Sequence, residues 1–236
     1  MSQNDITKNI AAKNIVITGA NRGIGLAMAK ICSERGDNVY ALCRKSSAAL
    51  TELNATVISN VDISTEAGID QAVTALSDIR IDLLINNAGI FRDETLDNFN
   101  KTSITEQFNV NALAPLVLTQ ALLSCLSANS KVAFITSRMG SIADNDSGGR
   151  YGYRMSKAAL NIGAMSLAKD LTADNITVGI YHPGYVQTDM VNSPGSTSNG
   201  DISSDVSAQR LLNLMDELTM NDSGVFRHSN GQILPW

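Results

Sequence analysis

Tyr153 and Lys157 stand four residues apart in the stretch YRMSK. On a helix that spacing puts both side chains on one face, so an ammonium can sit beside a phenol. A free tyrosine titrates near pH ~10 and is a poor acid-base catalyst at neutrality, but a neighbouring positive charge favours the phenolate and lowers that value. The pair could then give a proton to a carbonyl oxygen or take one from an alcohol. Tyr151 lies close by, yet Met155 occupies the position four residues after it, so Tyr151 lacks the lysine and is assigned to a substrate rim or to packing.

A second group of residues suits phosphate. NIVITGANRGIGLAMAKI runs from an apolar stretch through Gly19, Gly23 and Gly25 into a helical pattern. Strand, glycine turn and helix together point free N–H groups and the positive end of a helix dipole at an anion. Gly19 permits the tight turn, and Gly23 and Gly25 are expected to let a pyrophosphate approach the backbone. Where a second strand ends, ALCRKSS offers Arg44 and Lys45 in place of the acid that would hold a ribose 2′-hydroxyl. With Arg22 inside the glycine loop, this charge favours a 2′-phosphate and hence NADP(H).

Elements of a recognisable kind position these residues. Short runs rich in Val and Ile (NIVITG, NVYALC, TVISNVDI, DLLINNAG, KVAFITS and ITVGIYHPG) alternate with stretches of helical spacing, among them TEQFNVNALAPLVLTQALLSCL and YRMSKAALNIGAMSLAKDL. Such alternation demands parallel strands joined by crossovers, with helices on both faces: a doubly wound α/β sheet in one domain over residues 1–236. GVFRHSNGQILPW reads as a final strand, giving about seven. Residues 1–12 are expected to form a flexible tail. The small polar residues of 191–205 are expected to form a loop over the substrate, a plain solvent loop being the alternative.

Composition excludes several classes. The 18 basic and 23 acidic residues, net −5, provide no stripe for a nucleic-acid backbone. No leader pattern precedes the first strand and no run approaches the roughly 18 apolar residues of a membrane span, so a cytoplasmic protein without a membrane partner is expected. Cys32, Cys43 and Cys125 form no CxxC pair and read as buried small hydrophobes. His182 and His228 stand apart without other ligands nearby, so no metal is expected.

TGxxxGxG from Thr18 to Gly25, NNAG at Asn86 to Gly89, FNVNALAPL around Asn111, ITS ending at Ser137, YRMSK and HPGYVQTDM occur in an order and spacing that resemble the short-chain dehydrogenase/reductase family, over nearly the whole chain. GSIADNDSGGRYGYRMSKAALN and the terminal GVFRHSNGQILPW resemble in particular the sniffer-type carbonyl reductases and the C-factor proteins of that family. The resemblance implies a Rossmann-type fold and a catalytic set of Asn111, Ser137, Tyr153 and Lys157. Ser137 would donate a hydrogen bond to the substrate oxygen, Lys157 would bond the nicotinamide ribose, and Asn111 would hold a water that continues the proton relay. Ser137 is preferred to Ser141 because it ends the fifth strand, although three extra residues separate it from Tyr153.

By the same resemblance, Thr18, Gly19, Asn21, Arg22, Gly23, Ile24 and Gly25, then Asn87, Ala88 and Gly89, contact the cofactor. Asp62 would hold the adenine amino group beside Ile63, with a helix-capping role as its alternative. Pro183, Gly184, Val186 and Thr188 would shape and hold the carboxamide end. Ser141, Tyr151 and Tyr185 would face a small carbonyl substrate. The expected activity is NADPH-dependent reduction of an aldehyde or ketone. A cofactor-binding signalling protein and an NAD-dependent alcohol dehydrogenase are the alternatives. Family members commonly pair through the helices holding Asn111 and Tyr153, which suggests a homodimer; burial against the sheet explains the same apolar residues equally well.

Overall fold

The computed structural model describes residues 12–188 and 200–236. Seven strands form one sheet: β1 (Asn14–Thr18), β2 (Asn38–Leu42), β3 (Ala55–Ile58), β4 (Leu83–Asn86), β5 (Lys131–Ile135), β6 (Thr177–His182) and β7 (Phe226–His228). Their order is β3-β2-β1-β4-β5-β6-β7, with every neighbouring pair parallel. The order reverses between β1 and β4, and ligands of such sheets sit at the carboxyl ends of strands flanking that point. This is the doubly wound Rossmann-type fold that the alternation of elements predicts.

The helices are α1 (Gly23–Glu34), α2 (Ala48–Thr51), α3 (Glu66–Leu76), α4 (Lys101–Phe108), α5 (Ala114–Ala121), α6 (Tyr151–Asp170) and α7 (Ser204–Glu217). Because side chains alternate across a strand, neighbours in β1 serve opposite layers. Val16 joins Leu84, Phe134 and Ile180 against α3, α5 and α6. Ile15 and Ile17 join Ile85 and Tyr181 against α1 and α7. Both layers bury their apolar residues almost completely, which explains why strands such as Leu83–Asn86 carry apolar residues on both faces. Cys32, Cys43 and Cys125 are buried thiols, as expected.

Three features depart from the sequence reading. The long helix expected from Thr105 is instead α4 and α5 joined by a π-helical turn over Asn109–Leu113. Pro115, at the start of α5, has no N–H to offer the carbonyl of Asn111 four residues back, so a regular helix cannot run through this point. Helix α7 was not anticipated, although Ala208, Leu211, Leu212 and Met215 recur at helical spacing and are buried. The expected substrate loop is shorter than 191–205 at its far end: Ile202 bridges to Val186, Ser203 caps α7 by accepting from the Val206 N–H, and Ser204 begins the helix. Residues 191–199 of that loop, and residues 1–11 of the expected tail, lie outside the described residues. Among the described residues no helix is long and apolar enough to cross a membrane.

Candidate active site

The carboxyl ends of β1, β2, β4, β5 and β6 open into one cleft of about 450 Å³. At one end stand Arg44, Lys45, Asp62 and Ile63; at the other, Tyr153, Lys157, Pro183 and Thr188, with the glycine loop between. Gly19 has φ +65° and an added Cβ would lie 3.0 Å from the Ala88 Cα, so the turn tolerates no side chain. Gly25 lines the cleft and also has a packing role. A Cβ there would lie 2.3 Å from the Gly19 carbonyl oxygen and 2.6 Å from the Asn87 Nδ2, so its missing side chain lets α1 close on its own loop and on β4.

The loop is cross-tied by polar side chains. The buried Thr18 Oγ1 accepts from the N–H groups of Asn87 (2.9 Å) and Ala88 (3.0 Å), while Asn87 Nδ2 donates to the Thr18 carbonyl (2.9 Å). Thr18 thus acts from behind the cleft, fixing the two peptide groups that form its wall. Asn21 Nδ2 donates to the Lys45 carbonyl (2.9 Å), and Ser47 Oγ donates to the Asn21 carbonyl (2.8 Å). These bonds bring Arg22 and the Arg44–Lys45 pair to one end of the cleft.

Asp62 lines the cleft and does not cap α3. Its Oδ1 accepts from both the N–H (3.0 Å) and the hydroxyl (2.7 Å) of Ser64, and its Oδ2 lies 3.9 Å from the Arg44 guanidinium. Burial pushes the carboxyl's pKa up, but the Ser64 bonds and the Arg44 charge outweigh it and hold the carboxyl below its ordinary value. The cap of α3 itself is Thr65, which accepts from the Gly68 N–H.

At the other end, Tyr153 and Lys157 share the inward face of α6, as their spacing requires. Lys157 is 4% exposed; its Nζ lies 5.8 Å from the centre of the Tyr153 ring and donates to the Ile135 carbonyl (3.0 Å). The Ser137 hydroxyl stands near enough to the Tyr153 phenol to influence its titration, and it accepts from the Met139 N–H (3.1 Å). Burial pushes the Tyr153 phenol up to about 12 against the pull of Ser137, and pushes the Lys157 ammonium down to about 8. This reverses the shift expected for the phenol: loss of hydration favours the neutral form of each group and, at the phenol, outweighs the pull of Ser137.

Asn111 is buried in the π-helical turn. Its amide grips Ile90 from both sides, Oδ1 accepting from the Ile90 N–H (2.8 Å) and Nδ2 donating to the Ile90 carbonyl (2.8 Å), and Nδ2 also donates to Ser156 Oγ (3.0 Å). A Cβ on Gly89 would lie 3.2 Å from Asn111 Oδ1 and 3.7 Å from Lys157 Nζ, so this glycine keeps the floor of the cleft open above both.

Gly184, at φ +94°, and the buried Val186 shape the far wall from behind, and the Pro183 carbonyl accepts from Ser207 (2.7 Å) and Ser229 (2.9 Å). The three expected substrate residues do not line the cleft. Ser141 is buried and accepts from the Asp144 N–H (3.1 Å), pinning the extra residues before α6; Tyr151 packs against Phe99 at 5.1 Å; the half-exposed Tyr185 accepts through its carbonyl from Asp201 (2.7 Å). Ile90, Val110, Ile135 and Thr136 line the cleft without having been singled out. None of these four has a residue type that would by itself separate it from core or loop.

The short chain dehydrogenase family model matches residues 13–199, and the chain belongs to that family. It is 33% identical over 225 residues to the 1-hydroxy-2-glutathionyl-2-methyl-3-butene dehydrogenase of Rhodococcus sp. (strain AD45), covering 94% of this chain and 99% of that one. It is 40% identical over 159 residues to the C-signal protein of Myxococcus xanthus, covering 66% of this chain and 93% of that one. Its structure superposes on the NADPH-bound carbonyl reductase from chicken fatty liver with a TM-score of 0.84 at 29% identity, over 96% of this chain and all of that one. The carbonyl reductase Sniffer of D. melanogaster gives a TM-score of 0.84 at 25% identity, with the same coverage. The protein is thus an oxidoreductase of the family and is similar to carbonyl reductases.

Proposed function

We propose that this protein reduces an aldehyde or ketone to an alcohol with NADPH, Tyr153 giving the proton to the carbonyl oxygen. The observation that carries the reading is that one cleft is lined by Tyr153 and Lys157, with Ser137 beside the phenol, and also by Arg44 and Lys45. The donor set fits a dinucleotide phosphate: the amino end of α1, the open glycine loop and clustered cations suit its phosphates, and no acid replaces Arg44 at the end of β2. A nicotinamide cofactor bound there would supply the hydride.

Each residue has a defined task. The Tyr153 phenol, pushed up by burial, is protonated at neutral pH, the form needed to donate. Ser137, beside the phenol, would donate to the same substrate oxygen as negative charge develops there. Lys157 would hold the ribose of a bound nicotinamide cofactor and, when charged, would favour the phenolate that proton donation leaves behind. Because the Asn111 amide is held by Ile90 and Ser156, its part in a relay falls to its main-chain carbonyl, which Pro115 leaves without the usual helical donor.

The test is NADPH consumption, with NADH in parallel, across aldehydes, ketones and diketones, using wild type and Tyr153→Phe. A glutathione-conjugated alcohol, assayed in the oxidative direction, belongs in the panel because of the Rhodococcus relative's name. Tyrosine-dependent turnover that favours NADPH supports the reading. The 40% identity to C-signal favours a second one, a signalling role; NADPH binding without turnover on any panel member would turn the search toward protein partners.

A further inference from the structure

Glu94 and Lys157 are the two buried charged side chains among the described residues, and the catalytic set accounts only for Lys157. Glu94 is 2% exposed, and no ion pair to it is found among the described residues. A carboxylate so buried needs donors on its oxygens. Oε1 accepts from the Ser103 hydroxyl and from Gln107 Nε2 (2.7 Å), and Oε2 accepts from the Gly152 N–H (3.2 Å). The Glu94 carbonyl accepts in turn from the Arg150 N–H (2.7 Å).

Two of these donors, the N–H groups of Arg150 and Gly152, lie at the amino end of α6. That helix starts from Arg150 in a left-handed conformation (φ +52°) with no side-chain cap of its own. Glu94 supplies the cap from 58 residues away, and a negative charge at a helix amino end is favoured by the dipole. The fit leaves no slack: a Cβ on Gly152 would lie 2.4 Å from Gln107 Nε2 and 3.1 Å from Glu94 Oε2. Tyr153 is the next residue.

The segment leading to Glu94 is fixed at every second residue: Asn111 holds Ile90, Gln107 Oε1 accepts from the Arg92 N–H (2.9 Å), and Glu94 ends the series. Phe91, between these anchors, meets the Tyr153 ring edge-on at 5.1 Å and 75°. Glu94 therefore reaches Tyr153 along two routes, through the helix that carries it and through the ring that flanks it.

We propose that Glu94 is a positioning residue for the proton donor: its carboxylate fixes the amino end of α6 and the 90–94 segment together, and so sets the Tyr153 phenol against Ser137. All three side-chain partners are donors, which an ionised carboxylate satisfies and an amide does not, so Glu94→Gln sets an NH₂ group against at least one of them. Lys157 lies one turn further along α6 and is anchored separately on Ile135, so cofactor affinity should outlast the loss of Tyr153 placement.

The kinetic arm of the test rests on the reductase reading; the spectroscopic arm does not. NADPH affinity, kcat on a carbonyl that wild type reduces, and the ¹³Cζ-tyrosine resonance of Tyr153, identified by its loss in Tyr153→Phe, are measured for wild type, Glu94→Gln and Gly152→Ala. The expected result is a shifted Tyr153 resonance and a roughly tenfold to hundredfold fall in kcat, the scale of a small misplacement of a reacting group. NADPH Kd should stay within about threefold, which separates lost transition-state placement from lost binding. If wild type reduces nothing in the panel, the reductase reading fails and the resonance alone decides on Glu94. An unmoved resonance, or kcat and NADPH affinity falling together with the folded fraction, overturns the proposal.

Discussion

At the scale of single residues, the two ends of the cleft make separable demands. Tyr153→Phe removes the proton donor without changing the ring that packs on Phe91, so turnover should fall by about 10²-fold or more with NADPH binding retained, as a general-acid contribution requires. The alkaline limb of the reduction should belong to Lys157 rather than to the phenol: burial leaves its ammonium titrating near 8, so its positive charge, and with it the support for phenolate, is lost as pH rises through that value. A rate that stays level to pH 10 would assign the limb elsewhere. At the cation end, Arg44→Ala should weaken NADPH by about tenfold, the worth of one charge-assisted contact to phosphate. It should leave NADH nearly unchanged; equal losses for both would sink the assignment of Arg44 to the 2′-phosphate.

At the scale of elements, the glycine loop depends on Thr18 as much as on its glycines. Thr18→Val keeps the shape but strips the acceptor from the Asn87 and Ala88 N–H groups, which turn from the cleft wall toward the buried Thr18. Each unsatisfied group costs about 1–3 kcal/mol, so a clear drop in Tm is expected, together with weaker binding of NADPH and NADH alike. Strands and most helices were legible because each is a short patterned run whose partners need not be known. Tyr153 and Lys157 were legible for the same reason, four residues on one helix. What remained hidden depends on long-range contact: Gly25 serving the Gly19 carbonyl, Ser141 turning away to Asp144, and Glu94 capping a helix 58 residues on. The break at Asn109–Leu113 could have been read from Pro115, which signals the missing bond without saying that a π-helical turn absorbs it.

At the scale of the whole molecule, the fold should be acid-sensitive for a reason remote from the proton donor. His182 ends β6 and His228 ends β7; their rings meet edge-on at 4.9 Å, and the His182 Nδ1 is buried with no hydrogen-bond partner among the described residues. Burial, then His228 and Arg138, push the His182 imidazole down to about 3. In the unfolded chain it regains its ordinary value near 6.5, so between those pH values the unfolded state holds a proton that the folded state does not. Stability from this site is therefore complete above pH ~6.5 and is lost progressively as pH falls toward 3, by roughly 2 kcal/mol at pH 5. His228 is depressed for the same leading cause, burial, and adds to the loss in the same direction. Urea unfolding at pH 7 and pH 5 should show the decrease in wild type and a smaller one in His182→Gln, which has no imidazole to titrate. Equal decreases in the two proteins would move the acid sensitivity to other groups and leave the pair a packing contact between the last two strands.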